Sequence, residues 1–254
     1  MLADATDRVG QIFIDRIKER IEQNQNALLC FVGQTGSGKS YASMSLALVL
    51  DPEFSADRIY FDIGRFIEDL SQNKFRKGNV VIIDDSGISI SNRNWQSIFN
   101  KAIGIIAQSF RFLNLIVIFN VPRVRFIELQ VRSLIHFYLI HKGGRGSFAI
   151  KETREIEDLN TSMDVVAESI KLDDDSILSE IYFFPPFDED LIREYEKRKA
   201  DFMINVYREL ALKLNPDKKD KDVEVECDHC GEKNFISLTT KHFKCKSCGL
   251  WNTP

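Results

Sequence analysis

Eight consecutive residues restrict this chain more than any others: Gly33-Gln34-Thr35-Gly36-Ser37-Gly38-Lys39-Ser40. They fit the pattern Gly-x-x-x-x-Gly-Lys-Ser/Thr, a loop whose backbone N–H groups wrap phosphates while the following helix adds the partial positive charge of its N-terminus. Such a loop needs a strand before it and a helix after it. Ala27-Leu28-Leu29-Cys30-Phe31-Val32 is a short apolar run that stops at glycine, and residues 39–50 predict a helix. The glycines admit conformations and close approaches that a Cβ forbids. In this pattern Lys39 reaches the outer phosphates and the Ser40 hydroxyl takes magnesium. The expected phosphate-contacting set is Gly33, Gln34, Thr35, Gly36, Ser37, Gly38, Lys39, Ser40 and Tyr41.

The rest of the chain predicts an α/β fold. Ile12, Ile14, Ile17 and Ile21 recur at broadly helical spacing within residues 8–21. After the loop helix come an expected strand at 58–61, a helix at 64–71, a strand at 80–83, a helix over 95–112 and a strand at 115–119. A short helix at 126–132 and strands at 134–140 and 148–150, around the turn Gly143-Gly144-Arg145-Gly146, follow. Alternating strands and helices predict a mostly parallel sheet with helices on both faces. Residues 188–214 form a long charged helix, 215–226 a polar linker, and 227–254 a separate small module, so that 1–187 is the main domain. No internal repeat emerges.

Val80-Val81-Ile82-Ile83-Asp84-Asp85 supplies a second half to the site. An acid at the C-terminal tip of a buried strand faces the crevice where parallel sheets bind ligands, and Asp84 there can hold magnesium directly or through water. A strand between the loop helix and this Asp, a second acid beside it, and a later strand ending at Asn120 resemble the additional-strand P-loop ATPases. Within that class the chain resembles the FtsK/HerA-type and zonula-occludens-toxin-type DNA-pumping ATPases of plasmids and viruses, over about residues 8–150. Asp84-Asp85-Ser86-Gly87, Asn92-Arg93-Asn94-Trp95 and Gln108-Ser109-Phe110-Arg111 carry that narrower likeness.

The resemblance implies ATP hydrolysis with magnesium, Asp85 as the base that polarises the attacking water, and Asn120 as a sensor of the γ-phosphate. It also implies a homo-oligomeric ring in which an arginine from a neighbouring subunit completes the site. Arg111, Arg123, Arg125 and Arg132 are the candidates, with Arg111 preferred because it ends the Gln108-Ser109-Phe110 run. Two departures stand out. The base in the family is usually Glu, one methylene longer than Asp85, and the pumps often carry Gln where Asn120 stands.

Charge is uneven along the chain. The net charge is −4, yet residues 86–151 hold nine Lys or Arg against one acid, Glu128, and acids dominate from 152 to 201. A basic stretch of this kind suits a polyanion such as DNA, or is simply a solvated face.

Five cysteines define the other chemical feature. Cys30 lies in the apolar run and is expected in the core, whereas Cys227-Asp228-His229-Cys230-Gly231 and Cys245-Lys246-Ser247-Cys248-Gly249 form two Cys-x-x-Cys-Gly turns. Four thiolates so paired suit tetrahedral zinc, with an iron–sulfur site as the alternative, and resemble a zinc ribbon. His229 and His242 are bystanders to a complete shell. Trp251, Lys241, Lys244 and Lys246 offer contacts to nucleic acid, and a protein docking surface is equally consistent.

The chain has no apolar stretch near the ~20 residues of a membrane-spanning helix, and its N-terminus is acidic, without a secretory pattern. The expected location is therefore cytoplasmic. Two functions fit these features: an ATP-driven motor that moves or packages DNA, or an ATP-dependent switch that recruits partners through the zinc ribbon while hydrolysing slowly.

Overall fold

The computed structural model describes residues 2–84, 104, 113–127, 129–154, 166–171, 177–178, 181–183, 188–214, 222–237, 240 and 242–253. They form two compact units, Met1–Glu196 and Lys197–Pro254. The first unit begins with α1 (Leu2–Glu22), β1 (Ala27–Val32), α2 (Lys39–Leu50), a 3-10 turn (Ala56–Arg58), β2 (Ile59–Tyr60), α3 (Ile63–Ser71) and β3 (Val80–Ile83). It continues with β4 (Ile116–Val121), a second 3-10 turn (Val124–Phe126), α4 (Leu129–Arg132), β5 (Phe137–His141), β6 (Ser147–Arg154), β7 (Val166–Lys171), β8 (Ile177–Leu178) and β9 (Ile181–Tyr182). The unit boundary falls within the next helix, α5 (Glu189–Leu214). The helix expected over 95–112 lies, Gly104 apart, outside the described residues, as do Asp85 and Arg111.

Among the described residues, nine strands make one sheet in the order β2-β3-β4-β1-β5-β6-β7-β8, with β9 also on β6. The pairs from β2 through β5 are all parallel. From β6 onward the pairing is antiparallel. The expected parallel sheet is thus one side of it, and the acid-rich stretch beyond 152 adds β7, β8 and β9 on the other, of which β8 and β9 are too short to show a period of two.

Every residue of β1, β3 and β4 is buried, as a strand covered on both faces requires. On one face Leu28, Cys30, Val81, Ile83, Val117 and Phe119 pack with Ile63 and Phe66 of α3 and Val131 of α4. Successive side chains alternate across a strand, so Leu29, Phe31, Ile118 and Asn120 point the other way. There Phe13 of α1 meets Phe137 edge-on at 5.4 Å, and Phe31 meets Phe148 at 5.1 Å. Cys30 is fully buried, and desolvation pushes its thiol far above the usual range, in keeping with a core residue. β5 begins only at Phe137 because Leu134 and Ile135 close the turn after α4, bonding Val131 O and Arg132 O.

The second unit contains two small antiparallel pairs, β10 (Asp222–Glu226) with β11 (Lys233–Ser237) and β12 (Phe243–Lys244) with β13 (Trp251–Asn252). Residues 222–226 are therefore strand where a linker was expected. Val223 and Val225 alternate with acids, which is a strand pattern hidden within a charged run. Among the described residues no helix is long and apolar enough to cross a membrane.

Candidate functional site

The first site lies where β1 ends. Gly33 N donates to Val121 O at 3.2 Å, turning the chain away from the sheet. Gly36 and Gly38 have φ of 84° and 90°, conformations that disfavour any side chain. At Gly33 the reason for glycine is space, because a Cβ there would stand 2.7 Å from both His141 Cβ and Ser37 Oγ. Lys39 opens α2, yet only 5% of it is exposed, and its Nζ lies back across the loop to donate to Gly33 O (2.6 Å) and Gln34 O (3.0 Å). Gln34, Thr35 and Gly36 form the exposed tip.

Around Asp84, the residue after β3, three elements converge. Asp84 is 1% exposed. Its Oδ1 accepts from Ser40 Oγ at 2.8 Å and from Asn120 Nδ2 at 2.7 Å, and Asn120 Nδ2 also reaches Ser43 Oγ at 3.0 Å. The parallel register makes this possible, since β4 lies between β1 and β3 and carries Asn120 to the level of the loop. Among the described residues, Asn120 Oδ1 and Ser37 Oγ are buried without a hydrogen-bond partner. Each such atom costs about 1–3 kcal/mol, and a ligand that supplies donors and cations, as a magnesium–phosphate group with its bound water does, would satisfy them.

Tyr195, from the second turn of α5, is the residue that sequence reasoning missed. Its ring is 2% exposed, beside Tyr41 and Phe61, and its hydroxyl donates to Asp84 Oδ2 at 2.8 Å. Nothing local marks it, because it sits in a charged helix more than a hundred positions downstream. Tyr41, expected on the phosphates, donates its hydroxyl to Glu196 Oε1 at 2.9 Å. The β5–β6 turn is a second addition: Gly146 N donates to Ser37 O at 3.2 Å, and a Cβ on Gly38 would meet Arg145 Cγ at 3.4 Å. Exposed Arg123, Arg125, Lys142 and Arg145 thus follow the C-terminal ends of β4 and β5, on the edge that holds the loop. Arg132 is engaged locally, donating Nε to Ile127 O at 2.8 Å.

The second site is the cysteine centre. The sulfurs of Cys227, Cys230, Cys245 and Cys248 all lie within 4.8 Å of one another. Cys227 to Cys248 is 3.6 Å and Cys230 to Cys245 is 3.7 Å. A tetrahedron of Zn–S bonds near 2.3 Å has edges of about 3.8 Å. Each turn closes alike: Gly231 N donates to Cys227 O and Gly249 N to Cys245 O, with both glycines at positive φ. The N–H of Cys248, helped by Ser247 N–H and the Asn234 amide and opposed by desolvation, draws the Cys245 thiol down to about 6. His229 and His242 are exposed and outside the cluster; Trp251, Lys244 and Lys246 are exposed, while Lys241 lies outside the described residues.

The two halves are in fact a repeat, Cys-x-x-Cys-Gly-x-x-Asn, with Asn234 and Asn252 at matching places. Both asparagines are buried. Asn234 Oδ1 accepts from Lys246 N and Asn252 Oδ1 from Asp228 N, each at 2.9 Å, so each half caps the turn of the other. Asn234 Nδ2 also lies 3.6 Å from Cys245 Sγ. Outer partners of this kind tune metal affinity. Asn234→Ala should lower zinc affinity by about 10- to 100-fold in competition with a chelator; unchanged affinity would show the cap to be dispensable.

No family model matches the chain, and no curated protein matches it. Solved structures similar to it include the cytoplasmic domain of EssC, at 14% identity and a TM-score of 0.37, over 84% of this chain and 55% of that one. The N-terminal domain of zonular occludens toxin from Neisseria meningitidis aligns at 13% identity and a TM-score of 0.33, over 57% of this chain and 95% of that one. EssC (ATPases 2 and 3) from Geobacillus thermodenitrificans aligns at 13% identity and 0.31, over 85% and 54%. The chain spans about half the length of the two EssC structures.

Proposed function

We propose that this chain binds and hydrolyses ATP and acts as a motor that translocates or packages DNA. The observation that carries the nucleotide reading is the convergence of Lys39, Ser40, Asp84 and Asn120 at the mouth of one glycine-bent loop. In this reading the loop N–H groups cradle the phosphates and Lys39 swings from Gly33 O and Gln34 O to the β and γ phosphates. Ser40 and Asp84 would hold magnesium, which neutralises charge on the phosphates. In this reading Asn120, whose buried Oδ1 has no hydrogen-bond partner among the described residues, orients water near the γ-phosphate. Asp85 remains the proposed base, and the zinc ribbon the proposed docking module.

The DNA part of the reading is supported by charge. Arg123, Arg125, Lys142 and Arg145 share the loop edge of the sheet, where a ring of subunits could present them to phosphates. Contacts of that kind release counterions, so binding should fall steeply with salt and ignore sequence. Changing Arg123 and Arg125 together to Glu should remove DNA binding and DNA stimulation of the ATPase while ATP binding survives. Titrations on unrelated duplexes and single strands, with the oligomeric state measured alongside, test this. Loss of basal hydrolysis with DNA affinity intact would instead make one of these arginines the trans-acting group. A monomer whose ATPase ignores DNA would replace the motor with the ATP-dependent switch.

A further inference from the structure

We infer that Tyr195 is a positioning residue for Asp84, so that the start of α5 is part of the magnesium site; the inference rests on the nucleotide reading above. Asp84 follows a strand end, where a carboxylate has several rotamers open to it. Two donors, Ser40 Oγ and Asn120 Nδ2, hold Oδ1, and both come from elements next to the loop. They fix one oxygen. The Tyr195 hydroxyl, at 2.8 Å, holds Oδ2 and thereby sets the plane of the carboxylate.

The geometry around Tyr195 is built to keep that hydroxyl in place. Its ring packs at 5.9 Å from Phe61, which follows β2, and at 6.3 Å from Tyr41 of α2. The next residue, Glu196, accepts from Tyr41 OH, and Tyr41 directly follows Ser40. Consecutive residues of α5 are thus fastened to the magnesium carboxylate and to the residue after the magnesium hydroxyl. The helix start is itself fixed: Asp188 Oδ1 accepts from Leu191 N at 2.8 Å, and Leu191 is buried. Ring packing alone would need only Phe at this position; the hydroxyl is what meets Asp84.

A carboxylate held in one plane presents its oxygens to a metal without first losing rotamer freedom, and the benefit is confined to metal-dependent binding. The test is Tyr195→Phe in the full chain, which keeps the ring and removes the donor. ATP affinity is measured in EDTA and across a Mg2+ titration. The Mg2+ concentration giving half-maximal ATP binding should rise about ten-fold, while affinity in EDTA stays at the wild-type value. An unchanged or lower Mg2+ requirement overturns the inference, as does an equal loss in EDTA, which would make Tyr195 a packing residue. If the wild-type chain binds no ATP under either condition, the nucleotide reading falls and the inference with it.

Should the Phe variant not melt cooperatively, hydrogen exchange on the wild-type chain takes its place. Linkage requires that what Tyr195 does for the metal, the metal does for Tyr195. Amides of residues 191–196 should therefore exchange more slowly with ATP and Mg2+ than with ATP and EDTA. Equal exchange overturns the inference.

Discussion

Replacing Lys39 by Ala should abolish ATP binding, and turnover with it. The Lys39 ammonium is held inside the loop by Gly33 O and Gln34 O, at 2.6 and 3.0 Å, with the rest of the side chain buried. It is therefore already held against the loop, and a phosphate bound there gains a charge-assisted bond from a group already desolvated. Removing one member of such a buried charged pair costs about 2–5 kcal/mol, which is a loss of roughly 30-fold or more in affinity. The fold should survive, because the sheet core formed by Leu28, Cys30, Val117 and their neighbours is apolar and keeps every one of its members. Calorimetric titration with ATP and Mg2+, beside a melting curve, checks both parts. Unchanged affinity would contradict the assignment of the loop.

The second large effect concerns the cysteine centre. Elemental analysis should find one zinc per chain, and Cys245→Ser should release it and unfold residues from about 222 onward. The reason is the lack of any alternative core. Of the described residues from 222 to the end, the buried ones are Cys227, Asn234, Phe243, Cys245 and Asn252, so one phenyl ring is the only large apolar group among them. Structural zinc in small modules supplies about 10–16 kcal/mol of apparent binding energy, and without it two short hairpins have nothing to hold them together. ATP affinity should be unaffected, because the loop and Asp84 belong to the other compact unit. Iron in place of zinc, or loss of ATP binding together with the metal, would overturn this division of labour.

Some of this was legible because the information is local. The glycine pattern at 33–40 encodes a backbone path, and the path dictates which side chains reach phosphate. β1, β3 and β4 were legible because strands buried on both faces must be continuously apolar, and Ala27–Val32 and Val80–Ile83 are. The cysteine turns were equally plain, since two Cys-x-x-Cys-Gly segments have few uses other than metal. By contrast β10 was lost within a charged run, and β7, β8 and β9 in an acidic one, because alternation over two to six residues does not stand out from polar loop. The Cys-x-x-Cys-Gly-x-x-Asn repeat was present in the sequence throughout. Its asparagines have a meaning only once each is seen to cap the opposite turn.

By itself the sequence determined the glycine-bent loop, the serine and aspartate expected beside it, and the two Cys-x-x-Cys-Gly turns, since each is a short motif whose geometry is set by neighbouring residues. Tertiary structure alone decided what surrounds them. The placing of β4 between β1 and β3 brings Asn120 onto Asp84, the β5–β6 turn lays Gly146 and Arg145 against Ser37 and Gly38, and α5 delivers Tyr195 from 111 positions away. Those contacts depend on strand order and helix docking, which are set by the burial of whole apolar faces rather than by any local pattern of residues.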